Sequence, residues 1–305
     1  MEKHRKKLIK NAAVFDGHSS GLAQGKKIVI EDDIVTEITA DEVSEENFDE
    51  VFDGTGMVAM PGMTDAHVHM GCLFAKGEFP VDYATVLTVA KCKDALMAGF
   101  TTFRDAGSVS EGLKLAFDEG VLPGPRIYPC GAYISQTCGH GDSEYAHTYR
   151  DIQYRHPSSA VLADGVPEII RAVREQFYRG ASHIKLMATE ILNRHEDIGL
   201  LFGTDMMITG PDYQVEQSED IRYYEKRFGT MRALRALTGT ANEVFALTTY
   251  QNLYPKGKIG VLEAGAFADL LLVDGDPTKR VSVLADTDHL RLIMKGGTVY
   301  KNTLC

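Results

Sequence analysis

Two histidines one residue apart, His67 and His69, follow a Pro-Gly turn in 60-MPGMTDAHVHMG-71. In an extended segment the side chains at i and i+2 share a face, so both imidazoles can converge on one point. A metal ion suits that point, because imidazole nitrogen is one of its standard protein ligands. Other polar residues stand at the ends of stretches that read as strands: Arg104-Asp105, Lys185 and Asp205. Lys185 sits in the apolar frame IKLM, where a lysine must pair, snorkel outward or carry a modified head group.

These residues need a scaffold, and the chain between residues 82 and 239 alternates helix and strand. Residues 82–99 carry apolar positions at helical spacing and stop at Gly99, and 100-FTTFRDAG-107 reads as the next strand. The series continues with a helix near 111–120, a strand at 126–135, a helix at 166–180, strands at 183–189 and 199–205, and a helix at 228–239. Repeated units of this kind predict a parallel sheet, and a β/α barrel places its active site at the C-terminal ends of its strands. Both ends of the chain differ from this middle. Residues 8–17, 27–38, 268–275 and 290–302 read as strands and hairpins, with Gly296-Gly297 as a turn. They predict one small sheet domain built from both termini.

Composition narrows the function classes. The 305 residues are 44% hydrophobic, enough for a large core, and the net charge of −11 disfavours nucleic acid or an anionic membrane as partner. A small-molecule or peptide substrate fits better. The basic start MEKHRKK is not followed by the apolar run of a secretion signal, and no window approaches a membrane span. A soluble, cytoplasmic protein is expected. Five cysteines without a CxxC pair suit neither a disulfide framework nor a thiolate zinc site, and reduced thiols are expected.

The stretches 60–71, 98-AGFTTFRDAG-107, 135-SQTCGHGD-142, 171–189, 202-FGTD-205 and 260-GVLEAGAFADLLLVDGDP-277 resemble the amidohydrolase superfamily, in its imidazolonepropionase-like and Xaa-Pro dipeptidase-like branch. The resemblance implies an α/β fold: a TIM-like (β/α) barrel over residues 61–256 and a β-sandwich built from 1–60 and 257–305. It also implies a metal-dependent hydrolase that cleaves a carbon–nitrogen bond in an amide, cyclic amide or dipeptide. His67 and His69 would ligate the metal, Lys185 would do so as its carbamate, and Asp205 would ligate it and act as the catalytic base. His140, in the CGHGD loop, would contact substrate or shape the loop.

The chain also departs from that family. Two further metal-ligand histidines are expected on the fifth and sixth barrel strands, between the lysine and the last aspartate. Here only 205 − 185 = 20 residues separate Lys185 from Asp205, and the interval holds only His195. A β/α unit takes about 30 residues, so the fifth to seventh strands have no room. An incomplete barrel follows, with one Zn2+ expected rather than two. Its uncovered edges could recruit a second copy into a homo-oligomer. The loss of two ligands leaves a second reading, an inactive relative serving in binding or assembly, or a decayed gene product. Arg104 and Asp105 are read as a pair, and His183 and His195 as outward-facing.

Overall fold

The computed structural model describes residues 5–70, 81–107, 111–137, 139, 141–142, 160–186, 200–207 and 213–304. The first part supplies six strands, with a short 3-10 turn at Glu45–Asn47 before the fifth: β1 (Lys6–Lys10), β2 (Ala13–Val14), β3 (Lys27–Glu31), β4 (Ile34–Thr39), β5 (Glu50–Asp53) and β6 (Val58–Pro61). The middle alternates through β7 (Met63–His69), α1 (Val81–Met97), β8 (Phe100–Asp105), α2 (Glu111–Asp118), β9 (Arg126–Tyr128), β10 (Tyr133–Ser135), β11 (Ala160–Leu162) and α3 (Val166–Tyr178). After β12 (Met206–Met207) come α4 (Tyr213–Phe228), α5 (Thr230–Leu237) and α6 (Gly239–Ala246). The chain closes with β13 (Leu270–Val273), β14 (Leu290–Lys295) and β15 (Thr298–Asn302).

Two sheets come from the strand-rich ends. One has the order β4-β3-β1-β5, and the other, β15-β14-β13-β6-β2, joins strands from both ends of the chain. In β3 the alternation of KIVIE buries Ile28 and Ile30 on one face, as a half-buried strand requires. These side chains meet Leu270, Leu272, Leu292 and Met294 of the second sheet in one apolar core. At the β14–β15 turn Gly297 has φ +70°, and a Cβ there would collide with the Asp32 carbonyl. Only glycine lets this turn pack so closely against the β3–β4 turn.

The sheet that carries the histidines is parallel throughout, in the order β12-β7-β8-β9. Helices α1 and α2 return the chain between successive strands, which is the connection parallel pairing needs. Met63, Val68, Phe100, Phe103 and Ile127 of this sheet share a core with Tyr213 and Ile221 of α4, Leu234 of α5, and Leu271 and Ile293 of the five-stranded sheet. Among the described residues no helix is long and apolar enough to cross a membrane. Cys92 and Cys130 are buried free thiols.

The barrel expected from the sequence does not close among the described residues. The parallel sheet is open, and β10 pairs with β11 separately, in parallel register. A single parallel bridge, Ile134 to Leu186, continues that second strip. Only 13 residues separate Leu186 from Leu200, too few to supply the strands that would join this strip to β12. Other readings also shift. The strand expected at 126–135 is two strands, β9 and β10, interrupted where Gly131 adopts φ +70° against the buried Gln176. The helix expected at 228–239 is α5 followed by α6, with a break at Thr238.

Candidate metal centre

His67 and His69 leave the end of β7, and the segment 202–207 runs beside it. Ala66 N–H donates to the Phe202 carbonyl at 2.8 Å, Asp205 N–H to the His67 carbonyl at 2.8 Å, and β12 then pairs with Val68 and His69. Gly203 permits this approach, since a Cβ there would lie 2.7 Å from the His67 Cβ. The stretch 199–205, expected as a strand, is irregular from 200 to 205 in spite of these bonds. Its end is bent at Asp205, which has φ +56°, a conformation uncommon outside glycine but accessible to Asp and Asn.

That bend aims the Asp205 carboxylate at both imidazoles. Its Oδ1 lies 3.2 Å from His67 Nε2 and 3.3 Å from His69 Nε2. Hydrogen bonds from His67 and then His69 hold the carboxyl well below the usual carboxylate range, outweighing the opposing effect of partial burial. One ligand atom from each of His67, His69 and Asp205 falls within 4.8 Å of the others. Two imidazoles and a carboxylate are a donor set suited to a borderline divalent ion such as zinc. His69 is buried, whereas the Asp205 side chain is 74% exposed, so the cluster is anchored on one side and open on the other.

Lys185 reaches the same cluster from the neighbouring strip. Its carbonyl accepts the Ile134 N–H at 2.9 Å, which ties the stretch to β10. Its Nζ lies 3.0 Å from His67 Nε2. Burial lowers its pKa, and the charge of Asp205 opposes that shift. All four residues read from the sequence as ligands therefore meet in one place. His140 and His195 lie outside the described residues.

A fifth residue of this region was not anticipated. Asp65 is fully buried, and its carboxylate accepts His67 N–H at 3.1 Å, Thr204 N–H at 3.2 Å, Thr204 Oγ at 2.7 Å and Tyr213 Oη at 3.0 Å. One side chain thus ties β7 to the segment bearing Asp205 and to the start of α4. Burial pushes its pKa up to about 6 despite these donors. The signal in the sequence was an acid inside the apolar frame 63-MTDAHV-68, where a carboxylate needs several partners to stay buried. Gly107 is a second such position. A Cβ there would strike the Tyr133 ring at 2.6 Å, and that ring stands edge-on to His69 with centroids 6.4 Å apart.

Two expectations change. Arg104 and Asp105, read as a pair, take separate partners: Arg104 Nη1 donates to the Ala66 carbonyl at 3.4 Å, and Asp105 accepts the Gly107 N–H at 3.2 Å. Successive strand residues point to opposite faces, which separates them. His183, read as outward-facing, lines a cavity with Arg104.

Comparison with known proteins bears on this geometry. Residues 58–200 match the Amidohydrolase family. Ochratoxinase from Aspergillus niger is 34% identical over 152 residues, 43% of this chain and 31% of that protein, so the chain spans about a third of the length of this relative. A 5-methylthioadenosine/S-adenosylhomocysteine deaminase from Dictyoglomus turgidum is 34% identical over 70 residues, 23% of this chain and 16% of that one. Among solved structures, an amidohydrolase superposes with a TM-score of 0.83 at 23% identity, covering 98% of this chain and 100% of that one. A Xaa-Pro dipeptidase with methionine bound in its active site gives 0.76 at 20% identity, covering 97% and 100%. The match over residues 58–200 spans the paired histidines and Lys185, and a solved amidohydrolase shares this α/β fold along nearly the whole chain; together they support a place in the amidohydrolase superfamily.

Proposed function

We propose that this chain hydrolyses a carbon–nitrogen bond in a small amide, cyclic amide or dipeptide, with a water activated by one divalent ion, Zn2+. The observation that carries the reading is the convergence of His67, His69 and Asp205 within 4.8 Å, with Lys185 Nζ 3.0 Å from His67 Nε2. The substrate class draws on relatives named for dipeptidase activity and on the acidic chain. In the same reading, residues 1–60 and 257–305 make one composite β-sandwich domain, and 61–256 an incomplete β/α barrel without the fifth to seventh strands.

The division of labour follows from exposure. Imidazole, a neutral ligand, leaves a bound ion its full charge, and burial fixes the His69 ring. When bound, the ion supplies the charge that lets water ionise near neutral pH. Asp205, open to solvent on the side away from the imidazoles, takes the proton from water at its carboxylate. It then gives that proton to the departing amine nitrogen, so that amide and water become carboxylic acid and amine. Addition of carbon dioxide to the Lys185 amine, with loss of one proton, would give its carbamate, an anionic oxygen donor in place of an ammonium beside an imidazole.

Support for this reading is tested by incubating the zinc-supplemented full chain with a panel of N-acyl amino acids and Xaa-Pro dipeptides, with released amine as readout. Amine release that is abolished by EDTA and restored by zinc is expected. Release unaffected by EDTA, or none from any member of the panel, would overturn it.

A further inference from the structure

Beside the metal cluster lies a cavity of about 270 Å³ that the hydrolytic reading leaves without a role. Its walls come from four elements. Arg104 of β8 and Tyr128 of β9 are register neighbours in the parallel sheet, and both line it. Ser182 and His183 form the next wall, held to the residue after β9 by Ser182 N–H and Oγ, which both donate to the Pro129 carbonyl. Val244 and Phe245 of α6 close the far side, where the Phe245 ring stacks flat on Tyr128 with centroids 4.0 Å apart and planes 4° from parallel.

Among the described residues that line this cavity the charge is unbalanced. Among the described residues the Arg104 guanidinium makes one hydrogen bond, a long one of 3.4 Å to the Ala66 carbonyl, and no carboxylate pairs with it. Burial lowers its pKa, and the wall facing it, Ser182 and His183, brings no carboxylate. A partly buried guanidinium that no carboxylate of the described residues meets carries a desolvation cost, and a planar two-oxygen anion matches its donor fork. The volume is just under the roughly 300–1,000 Å³ of pockets that hold drug-sized ligands, which favours a single ring over a dipeptide.

We infer that this cavity is a binding site for a small aromatic monocarboxylate, with its carboxylate on Arg104 and its ring against the Tyr128–Phe245 wall. The site is distinct from the metal cluster and does not depend on the ion. Leu247 is 78% exposed at its margin, so the cavity opens to solvent on the α6 side.

The probe is 4-fluorobenzoate, followed by fluorine NMR line broadening on titration of the full chain, once with zinc and once with EDTA. Saturable binding in both states is expected, with the uncharged 4-fluorobenzamide binding far more weakly. R104Q should weaken 4-fluorobenzoate about ten- to hundredfold, the range for hydrogen bonds to a charged partner. Should that variant fail to fold, V244F, which fills the cavity without touching the charge, should also abolish binding. Binding lost with EDTA would place the probe on the metal cluster and overturn the inference. Equal binding of the amide, or unchanged binding by R104Q or V244F, would overturn it too.

Discussion

Replacing Asp205 by asparagine is expected to lower turnover by about 10²–10⁴-fold, the range for loss of a positioned acid–base group. The substitution isolates chemistry from folding. Asn is among the few residues that accept the φ of +56° found here, and the side chain is 74% exposed, so no apolar packing is lost. The amide still offers an oxygen to the two imidazoles but cannot take up the proton. The urea unfolding midpoint of D205N should therefore stay close to wild type while released amine falls. An equal loss of stability and activity would make Asp205 a structural residue.

The second large effect is expected at Asp65. Its removal in D65A leaves His67 N–H, Thr204 N–H, Thr204 Oγ and Tyr213 Oη without their shared acceptor. Each buried donor left unpaired costs about 1–3 kcal/mol, and the relief of an ionised buried acid offsets part of that total. A net loss of about 3 kcal/mol or more is expected by urea unfolding near neutral pH. Zinc affinity should fall with it, because the lost bonds anchor both the His67 backbone and the turn that aims Asp205. A change below about 1 kcal/mol would show that the apolar packing of Phe202 and Tyr213 suffices to hold this segment.

These two aspartates mark how far the site was legible in the sequence. His67 and His69 could be read because strand periodicity is local: two residues apart means one face. Lys185 stood out because a lysine in IKLM has few places to go. Asp205 could be read as the polar end of an expected strand, but its ligand role came only through the resemblance of FGTD to a family motif, since its bend depends on Gly203 lying against His67 and on Thr204 bonding to Asp65. Asp65 escaped notice because, apart from the His67 N–H, its donors lie about 140 residues away, where no local pattern reports them.

The fold divides in the same way. The β3–β4 and β14–β15 hairpins follow from alternation and turn residues close in sequence, and β7, β8 and α1 from short-range periodicity. Helix α4 was missed because 213-YQVEQSEDIRYYEKRF-228 is polar nearly all round, and the face it buries is only Tyr213, Gln217 and Ile221. Those three recur every four residues, a stripe too narrow to stand out from its charged neighbours. The break at Gly131 depends on Gln176 of α3 occupying the space where a Cβ would be, a contact 45 residues away. Closure of the parallel sheet is a property of the whole chain. The interval between Lys185 and Asp205 argued against it from length alone.

The claim at the centre of this account is that His67, His69 and Asp205, with Lys185 beside them, form one metal site. Zinc titrated calorimetrically into metal-free full-length chain measures this most directly, in wild type and in the H67A, H69A and D205A variants. The account predicts one equivalent of zinc per wild-type chain and a marked loss of affinity in all three variants. No binding to wild type, two equivalents, or equal binding by wild type and variants would contradict it.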